Sequence, residues 1–366
     1  MVSQRLVNSR LQPTPLETRA VVADFNSSTQ DATVYLTTQN PHVHRFLLSA
    51  VTGIPEHKIR VVSHDVGGGF GAKIHLYPPE IITLYLAKEL KRPVKWVESR
   101  SENFASTIHG RDHVQYVEMA ADREGRILGL KVKAYANMGA YLSTAAPGIP
   151  TILFGPMLSG PYRIPAVSVE VVGALTNTAP VDAYRGAGRP EATYILERMM
   201  DILARRLGKD PAEIRLKNFI PKGQFPYSAK PIGLVYDSGD YEKAFLKALE
   251  LARYREIRTK QQELRKQGQL IGVGISSYIE ICGLGPSSVA RATGFGLGLW
   301  ESTVIRVHPS GKVSVFIGSH PHGQGEETTF AQVVADRLQI PIEDVEILHG
   351  DTAMVPFGMG TYGSRT

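Results

Sequence analysis

Cysteine is almost missing from this chain: Cys282 is the single one in 366 residues. That excludes an internal disulfide, a cysteine-based zinc site and any iron–sulfur cluster held within the chain, and it fits a reducing compartment. Long apolar runs are also missing. The nearest approach, residues 144–158, is interrupted by Pro147, Pro150 and Pro156, so no segment has the roughly 18 consecutive apolar residues of a membrane span. The opening residues Met1–Arg5 carry no apolar core of a signal peptide, which leads to the expectation of a cytoplasmic protein. Charge of one sign is scarce too. Lys and Arg number 41 against 35 Asp and Glu, a net charge of +6. The densest basic stretch, Arg253–Lys266, is interleaved with Glu256 and Glu263; it reads as a solvated helix face, not a nucleic-acid surface.

What is present in quantity is glycine, at 35 residues. The length predicts two domains. Residues 1–19 are polar, contain Pro13 and Pro15, and read as an arm or linker. Composition shifts most across residues 254–270, which places a first domain at 20–255 and a second at 256–366. Within the first, strands are predicted near Val34–Thr37, Lys58–Ser63, Pro93–Glu98 and Val167–Leu175. A hairpin is predicted over Val114–Tyr141, turning at Asp122–Gly125. Helices are predicted from Pro41 to Gly53, from Pro78 to about Leu90, over 191–207, from Pro211 with Asp210 as its cap, and over about 240–267. The glycine- and proline-rich residues 144–165 are loop. The second domain is predicted to be β-rich, with strands at Gly272–Glu280, Ser302–His308 and Lys312–Gly318. The fold class is α+β, with mixed sheets and packed helices.

One internal repeat stands out. Residues 37–67 and 323–353 each give a glutamine-containing turn, an amphipathic helix, Ile-Pro, an acidic residue, a strand and an Asp. Ile54-Pro55 recurs as Ile340-Pro341 and Asp65 as Asp351, both at an offset of 286 residues. Two copies so far apart do not make a solenoid; they suggest related domains sharing a site.

Four glycine-containing segments carry the chemistry. The first, Gly67 to Lys73, follows a strand, and Gly67, Gly69 and Ala72 fit a dinucleotide-binding pattern. Against that reading, Pro78 and Pro79 put the helix start several residues too late to face a pyrophosphate, and the next acidic residue, Glu98, is 31 positions after Gly67 where about 20 is the rule. What remains is backbone that a ligand can approach closely, with the Phe70 ring beside it. The second segment, His322 to Glu326, precedes a helix whose N-terminus would attract anions. The third, Ala183 to Arg189, sets Arg185 and Arg189 around glycines at a helix start. The fourth is the polar segment Gly360–Thr366.

Together these segments resemble the molybdenum hydroxylase large subunits, the family of xanthine dehydrogenase, aldehyde oxidase and the carbon monoxide dehydrogenase large subunit. The resemblance rests on TTQN at 37–40, GGGFGAK at 67–73, AYRGAGRPEA at 183–192, HGQGEET at 322–328 and TYGSRT at 361–366, in the family's order over nearly the whole chain. It implies two related molybdopterin-binding domains, the second incomplete. It implies that Gln39 donates a hydrogen bond to an oxo group on molybdenum and that Arg185 sits by the metal. It places Gly69, Phe70 and Gly71 beside the cofactor. Gly323, Gln324 and Gly325 would bind the pterin dinucleotide on one side, and Ser364, Arg365 and Thr366 on the other. The cofactor would be molybdenum with a molybdopterin dinucleotide, of the cytosine type. Its dithiolene holds the metal, so no protein metal ligand is implied, and His42/His44 and His320/His322 take ordinary polar roles. The implied reaction is hydroxylation with water as the oxygen source, a glutamate acting as general base. FAD and 2Fe–2S clusters would lie on separate medium and small subunits.

Three departures from the family pattern sharpen this. Gly186 stands where carbon monoxide dehydrogenases proper carry a cysteine, which argues against carbon monoxide as substrate although the chain is form II carbon monoxide dehydrogenase-like. Ile74 stands where purine hydroxylases carry a glutamate. An aldehyde or a heteroaromatic carbon remains as substrate. Lastly, the general-base glutamate of the family lies in a C-terminal part without counterpart here, so either a further chain carries that part or the sequence is a truncated fragment, and the isolated chain is expected to be inactive. Two alternatives stand beside this reading: a NAD-binding dehydrogenase built on the 67–72 loop, and a non-catalytic fragment or scaffold.

Overall fold

The computed structural model describes residues 1–231, 233–283, 285–292 and 299–366. In chain order the elements are β1 (Val2–Asn8), β2 (Ala20–Asn26), β3 (Asp31–Leu36), α1 (Pro41–Thr52), β4 (Ile59–Val62), α2 (Pro78–Leu90), β5 (Val94–Val97), α3 (Arg100–Ser106), β6 (His113–Ala121), β7 (Ile127–Gly139), β8 (Val167–Leu175), α4 (Arg189–Leu207), α5 (Pro211–Asn218), β9 (Tyr227–Ala229), β10 (Leu234–Tyr236), α6 (Tyr241–Leu251), α7 (Tyr254–Lys266), α8 (Ser287–Ala292), β11 (Thr303–Val307), β12 (Val313–Ile317), α9 (Glu326–Leu338) and β13 (Val345–Leu348). They form two compact units that interleave along the chain. One holds residues 1–11, 111–181 and 186–280; the other holds 12–110, 182–185 and 281–366.

The first unit is built on a four-stranded sheet of order β1-β6-β7-β8, antiparallel except for the parallel β7–β8 pair. The polar segment expected as an arm therefore supplies an edge strand in its first residues. Helix α4 packs on β1 and β6 and buries Ile195, Leu196, Met199, Met200 and Leu203, the stripe its periodicity predicts. Asp210 caps α5 by accepting from the Ala212 N–H at 2.7 Å, satisfying one of the amides a helix start leaves unpaired.

Two expectations fail in this unit for identifiable reasons. The charged segment 240–267 is not one helix. It breaks at Arg253, which takes the left-handed conformation at φ 48°. Phe245 and Tyr254 are both buried; nine residues apart, they would face about 180° apart on one continuous helix. The break lets Phe245 pack on Phe219, ring centroids 5.2 Å apart, while the Tyr254 hydroxyl reaches Asp210 at 3.0 Å. Residues 272–280 form no strand. Their backbone is taken up by side chains instead: Arg215 donates to Ile275 O at 3.0 Å and the Ser277 N–H donates to Glu197 Oε2 at 2.8 Å.

The second unit contains two sheets. One has the order β4-β3-β2-β5, with β3 and β4 parallel and the other pairs antiparallel. Its core gathers Val21, Ala23, Val34, Leu48, Val61 and Leu84. The other has the order β11-β12-β13, with β12 and β13 parallel, and its core joins Val313, Val315 and Ile317 of β12 to Phe330 and Val334 of α9. The internal repeat is thus a structural repeat. Each copy runs antiparallel strand, strand, helix, one 3₁₀ turn, then a strand parallel to the second. The 3₁₀ turns at Glu56–Lys58 and Ile342–Asp344 and the strands starting at Ile59 and Val345 keep the offset of 286. Both helices end on a left-handed residue at the same place, Gly53 at φ 73° and Gln339 at φ 56°. The copies meet where the end of β4 lies against the turn after β13: the Val61 N–H donates to Thr352 Oγ1 at 2.9 Å, the Ser63 N–H to Gly350 O at 2.8 Å, and Arg60 pairs with Asp351.

Candidate cofactor site

Four of the motifs are knitted together within the second unit, and Gln39 is the knot. It lies in the four-residue loop between β3 and α1 and is 2% exposed. Its Oε1 accepts from the Gly71 N–H at 2.9 Å and the Lys73 N–H at 3.3 Å. Its Nε2 donates to Thr361 O at 3.1 Å, and its backbone C=O accepts from the Thr361 N–H at 2.9 Å. One side chain therefore ties TTQN to both GGGFGAK and TYGSRT, and the second N–H of its amide remains for another acceptor.

The glycine loop is shaped by contacts that admit no side chain. A Cβ on Gly69 would lie 2.5 Å from Gln39 Oε1, and one on Gly71, at φ 102°, would lie 1.9 Å from the backbone oxygen of Ala183. That approach carries the AYR segment onto the loop: the Arg185 N–H donates to Phe70 O at 2.9 Å, and its guanidinium carbon lies 5.9 Å from the Phe70 ring centroid, the outer range of a cation–π contact. The loop has two further anchors. Glu17 Oε2 accepts from the Gly67 N–H at 2.7 Å and from Lys73 Nζ at 2.8 Å, bridging its two ends. Burial pulls the Lys73 ammonium below its ordinary pKa, and the pairing with Glu17 opposes this. From below, the Tyr77 hydroxyl donates to Ala72 O at 2.8 Å, and the buried Arg19 guanidinium, paired with Glu98, covers the Tyr77 ring at 3.7 Å. The helix after the loop begins at Pro78, so the loop does not run directly into a helix N-terminus as a dinucleotide-binding loop does, which counts against that alternative.

The C-terminal motif is fixed from three sides. Thr361 Oγ1 accepts from the His320 N–H at 3.2 Å and lies 3.2 Å from Thr366 Oγ1. Arg365 pairs with Glu301 and donates to Gly360 O. Ser364 sits in the left-handed region at φ 53°. Burial pushes the Tyr362 hydroxyl up to about 12. By contrast, Gly323, Gln324 and Gly325 make hydrogen bonds, among the described residues, only within their own loop and the start of α9: Gln324 Oε1 accepts from the His322 N–H at 2.7 Å and Gly325 O accepts from the Thr329 N–H at 3.1 Å. Gly323 and Gly325 have φ of 108° and 81°, and a Cβ on either would project into open space. The backbone amides of this loop are accessible to a large ligand.

Histidines surround the site in neutral form. Burial pulls His42, His44 and His322 down to about 4 and, with His349, His322 and His64 as neighbours, His320 down to about 3. His44 is held by Thr38 Oγ1 at 2.8 Å and His75 O at 3.1 Å. His320 Nδ1 lies 3.1 Å from His349 Nδ1, and His349 Nε2 lies 2.7 Å from Glu327 Oε1.

These residues fit a molybdopterin dinucleotide. Open backbone at Gly323 and Gly325, an amide N–H at Gln39 and the cations Arg185 and Arg365 are the donors that an anionic ligand carrying its own sulfur ligands requires. Sequence reasoning missed Glu17 and Thr361 as organisers of the site. Glu17 had no signal, because its partner Lys73 is 56 residues away; Thr361 lay inside a quoted motif but was not singled out.

The comparisons with known proteins agree with this geometry. A molybdopterin cofactor-binding domain model matches residues 1–219, and a second model of that description matches residues 247–366. The chain is 44% identical to the carbon monoxide dehydrogenase large chain of Hydrogenophaga pseudoflava, across 100% of this chain and 46% of that protein. It superimposes on quinoline 2-oxidoreductase from Pseudomonas putida 86 with a TM-score of 0.94 at 34% identity, covering 100% of this chain and 46% of that one. Against carbon monoxide dehydrogenase from Oligotropha carboxidovorans the TM-score is 0.91 at 39% identity, covering 99% and 46%. The chain spans about half the length of the relatives it matches. It belongs, by fold, motifs and descent, to the molybdopterin-binding large subunits of the molybdenum hydroxylases.

Proposed function

We propose that this chain is the molybdopterin-binding portion of a molybdenum hydroxylase that oxidises an aldehyde or heteroaromatic carbon with water as the oxygen source. The observation that carries the reading is the convergence of Gln39, Gly71, Arg185 and Thr361 in one unit. The bound cofactor, molybdenum with a molybdopterin cytosine dinucleotide, would supply the redox centre. The chain's own residues hold and orient it. Gln39 offers its remaining amide N–H to an oxygen on the cofactor. Phe70 shields one side from water, Arg185 adds positive charge, and the open amides of Gly323 to Gly325 with Ser364, Arg365 and Thr366 grip the dinucleotide.

Two positions bear on the substrate. Gly186 has φ 95°, and a Cβ there would meet Pro190 Cγ at 2.4 Å. This supports the reading that no cysteine-held copper sits here and that carbon monoxide is not the substrate. Ile74 in place of an acidic residue counts against purines. The match to a quinoline oxidoreductase favours a heteroaromatic ring. The general-base glutamate would come from the part of the relatives that this chain does not match, and electrons would leave through a 2Fe–2S small subunit and an FAD medium subunit.

The test is to purify the complex through a tag on this chain, identify its partners by mass spectrometry and count molybdenum. Stoichiometric molybdenum with such partners is expected. A lone chain without metal overturns the proposal. In the active complex, Arg185→Ala should lower kcat/KM at least tenfold; unchanged turnover removes Arg185 from the site.

A further inference from the structure

Within the first unit, α7, the end of α4 and the start of α5 line a cavity of about 370 Å³, a volume in the range of small-molecule sites. Along the sequence the cations of α7 are interleaved with Glu256 and Glu263; on the helix they separate. Tyr254, Arg258, Gln261 and Arg265 are spaced four, three and four residues apart, so they share one face, and that face lines the cavity. Glu256 and Glu263 lie about 180° away round the helix and do not line it. Two more cations arrive from α4 and the turn after it, Arg205 and Lys209. Half of this charge is answered. Lys209 pairs with Glu213 at 2.9 Å and Arg258 with Asp210 at 3.5 Å. Asp201, the one carboxylate lining the cavity among the described residues, is already held by the buried Arg215 at 3.0 Å. Arg205 and Arg265 are exposed and, among the described residues, pair with no carboxylate. Cations at a helix C-terminus also answer the helix dipole, but that holds equally for Arg206 and Lys266, which do not line the cavity.

The rest of the lining is fixed in place. Arg258 Nη1 donates to Gln261 Oε1 at 2.6 Å, and Gln261 Nε2 donates to Ile271 O at 2.9 Å, which ties the helix to the segment that follows it. The Tyr254 hydroxyl is anchored on Asp210 at 3.0 Å. Pro211, Val273 and Ile275 give the cavity an apolar wall. We infer that this cavity binds a small organic molecule carrying a phosphate monoester. Two observations select that class. The two unpaired guanidiniums offer two positive charges and forked N–H donors, which match a phosphate monoester of about −1.5 to −2 charge at pH 7; a single carboxylate would leave one of them unanswered. The volume and the apolar wall accommodate an organic body beside the phosphate, a space that free phosphate would leave empty. None of the residues assigned to the cofactor lines this cavity, and the inference does not rest on the function proposed above.

The test is isothermal titration of the full chain, with whatever partners co-purify, against AMP, ribose 5-phosphate, inorganic phosphate and adenosine. At least one of the two esters should bind with a dissociation constant of about 1 mM or tighter. It should bind at least about tenfold tighter than inorganic phosphate, and adenosine should not bind at that site. Arg205→Gln and Arg265→Gln should each weaken ester binding at least about tenfold, the loss expected for a charge-assisted hydrogen bond. Both side chains are exposed, so the two variants should keep the wild-type thermal midpoint, and either one suffices if the other fails to fold. Lys260→Gln, on the acidic side of α7, removes a positive charge away from the cavity and should leave the affinity within about twofold. Absence of ester binding overturns the inference. So does ester binding that both arginine variants leave intact, or that adenosine matches. Inorganic phosphate binding as tightly as either ester would mark a free-phosphate site and overturn it as well.

Discussion

The two copies of the repeat use one backbone plan for opposite purposes. In the first, the link from strand to helix is four residues long, 37–40, and Thr38, Gln39 and Asn40 are all buried. In the second, the link is eight residues long, 318–325, and its last two glycines, Gly323 and Gly325, open onto free space. The first copy presents a side-chain amide held rigid by three backbone partners. The second presents backbone amides on the last residues of its loop, His322 to Gly325, where the side chain of Gln324 bonds to His322. Under the function proposed above, the repeated frame would supply a directional donor from one loop and open backbone amides from the other. The frame fixes where each loop starts, and loop length and glycine content decide what it offers.

This comparison can be broken most forcefully at the two glutamines. Gln39→Leu leaves the Gly71 and Lys73 N–H groups and Thr361 C=O buried without a partner, at about 1–3 kcal/mol each. It should lower the unfolding free energy by about 3 kcal/mol or more and abolish molybdenum retention in the complex. Gln324→Leu replaces an exposed side chain that, among the described residues, bonds only to His322, and should change stability by no more than about 0.5 kcal/mol. Equal losses in urea unfolding would refute the division between a rigid and an adaptable loop.

Acid should weaken both copies together. His44 in the first and His320 in the second are buried and held neutral, pulled down to about 4 and about 3. The unfolded chain takes up protons on these rings near 6.5, where the folded chain does not, so the unfolded state gains as pH falls. Stability should be flat above about pH 7 and fall steadily between about pH 6.5 and pH 4. His44→Asn should reduce that slope. An unchanged urea midpoint across this window would contradict the neutral assignment.

The mildest test lies at the helix ends. Gly53 and Gln339 occupy equivalent left-handed positions, a conformation that glycine enters with least strain. Gln339→Gly should stabilise the chain by about 0.5–1 kcal/mol, and Gly53→Ala should destabilise it by about 1 kcal/mol. Thermal unfolding of both variants would show whether the two copies are equivalent at this point.

Much of this was legible in the sequence. The prolines at 41, 78 and 211 mark helix starts at the residues where α1, α2 and α5 begin, and the hairpin of β6 and β7 turns at the predicted place. The offset of 286 residues survives in backbone detail because Ile-Pro and the following acidic residue dictate a 3₁₀ turn and a strand locally. The failures share a cause. Arg253 breaks a helix because two aromatic residues must be buried on different sides, and residues 272–280 lose their strand because Arg215 and Glu197 claim their backbone. Neither competitor is visible within a window of neighbouring residues.

The sequence by itself determined the local elements, the repeat and the five motifs, since these depend on contacts a few residues long and on residue types that alone tolerate a given backbone. Only the tertiary structure decided that Gln39 ties three of those motifs into one site and that Glu17 bridges the two ends of the glycine loop. Those outcomes depend on which distant groups compete for the same donors and acceptors, and only the folded chain brings the competitors together.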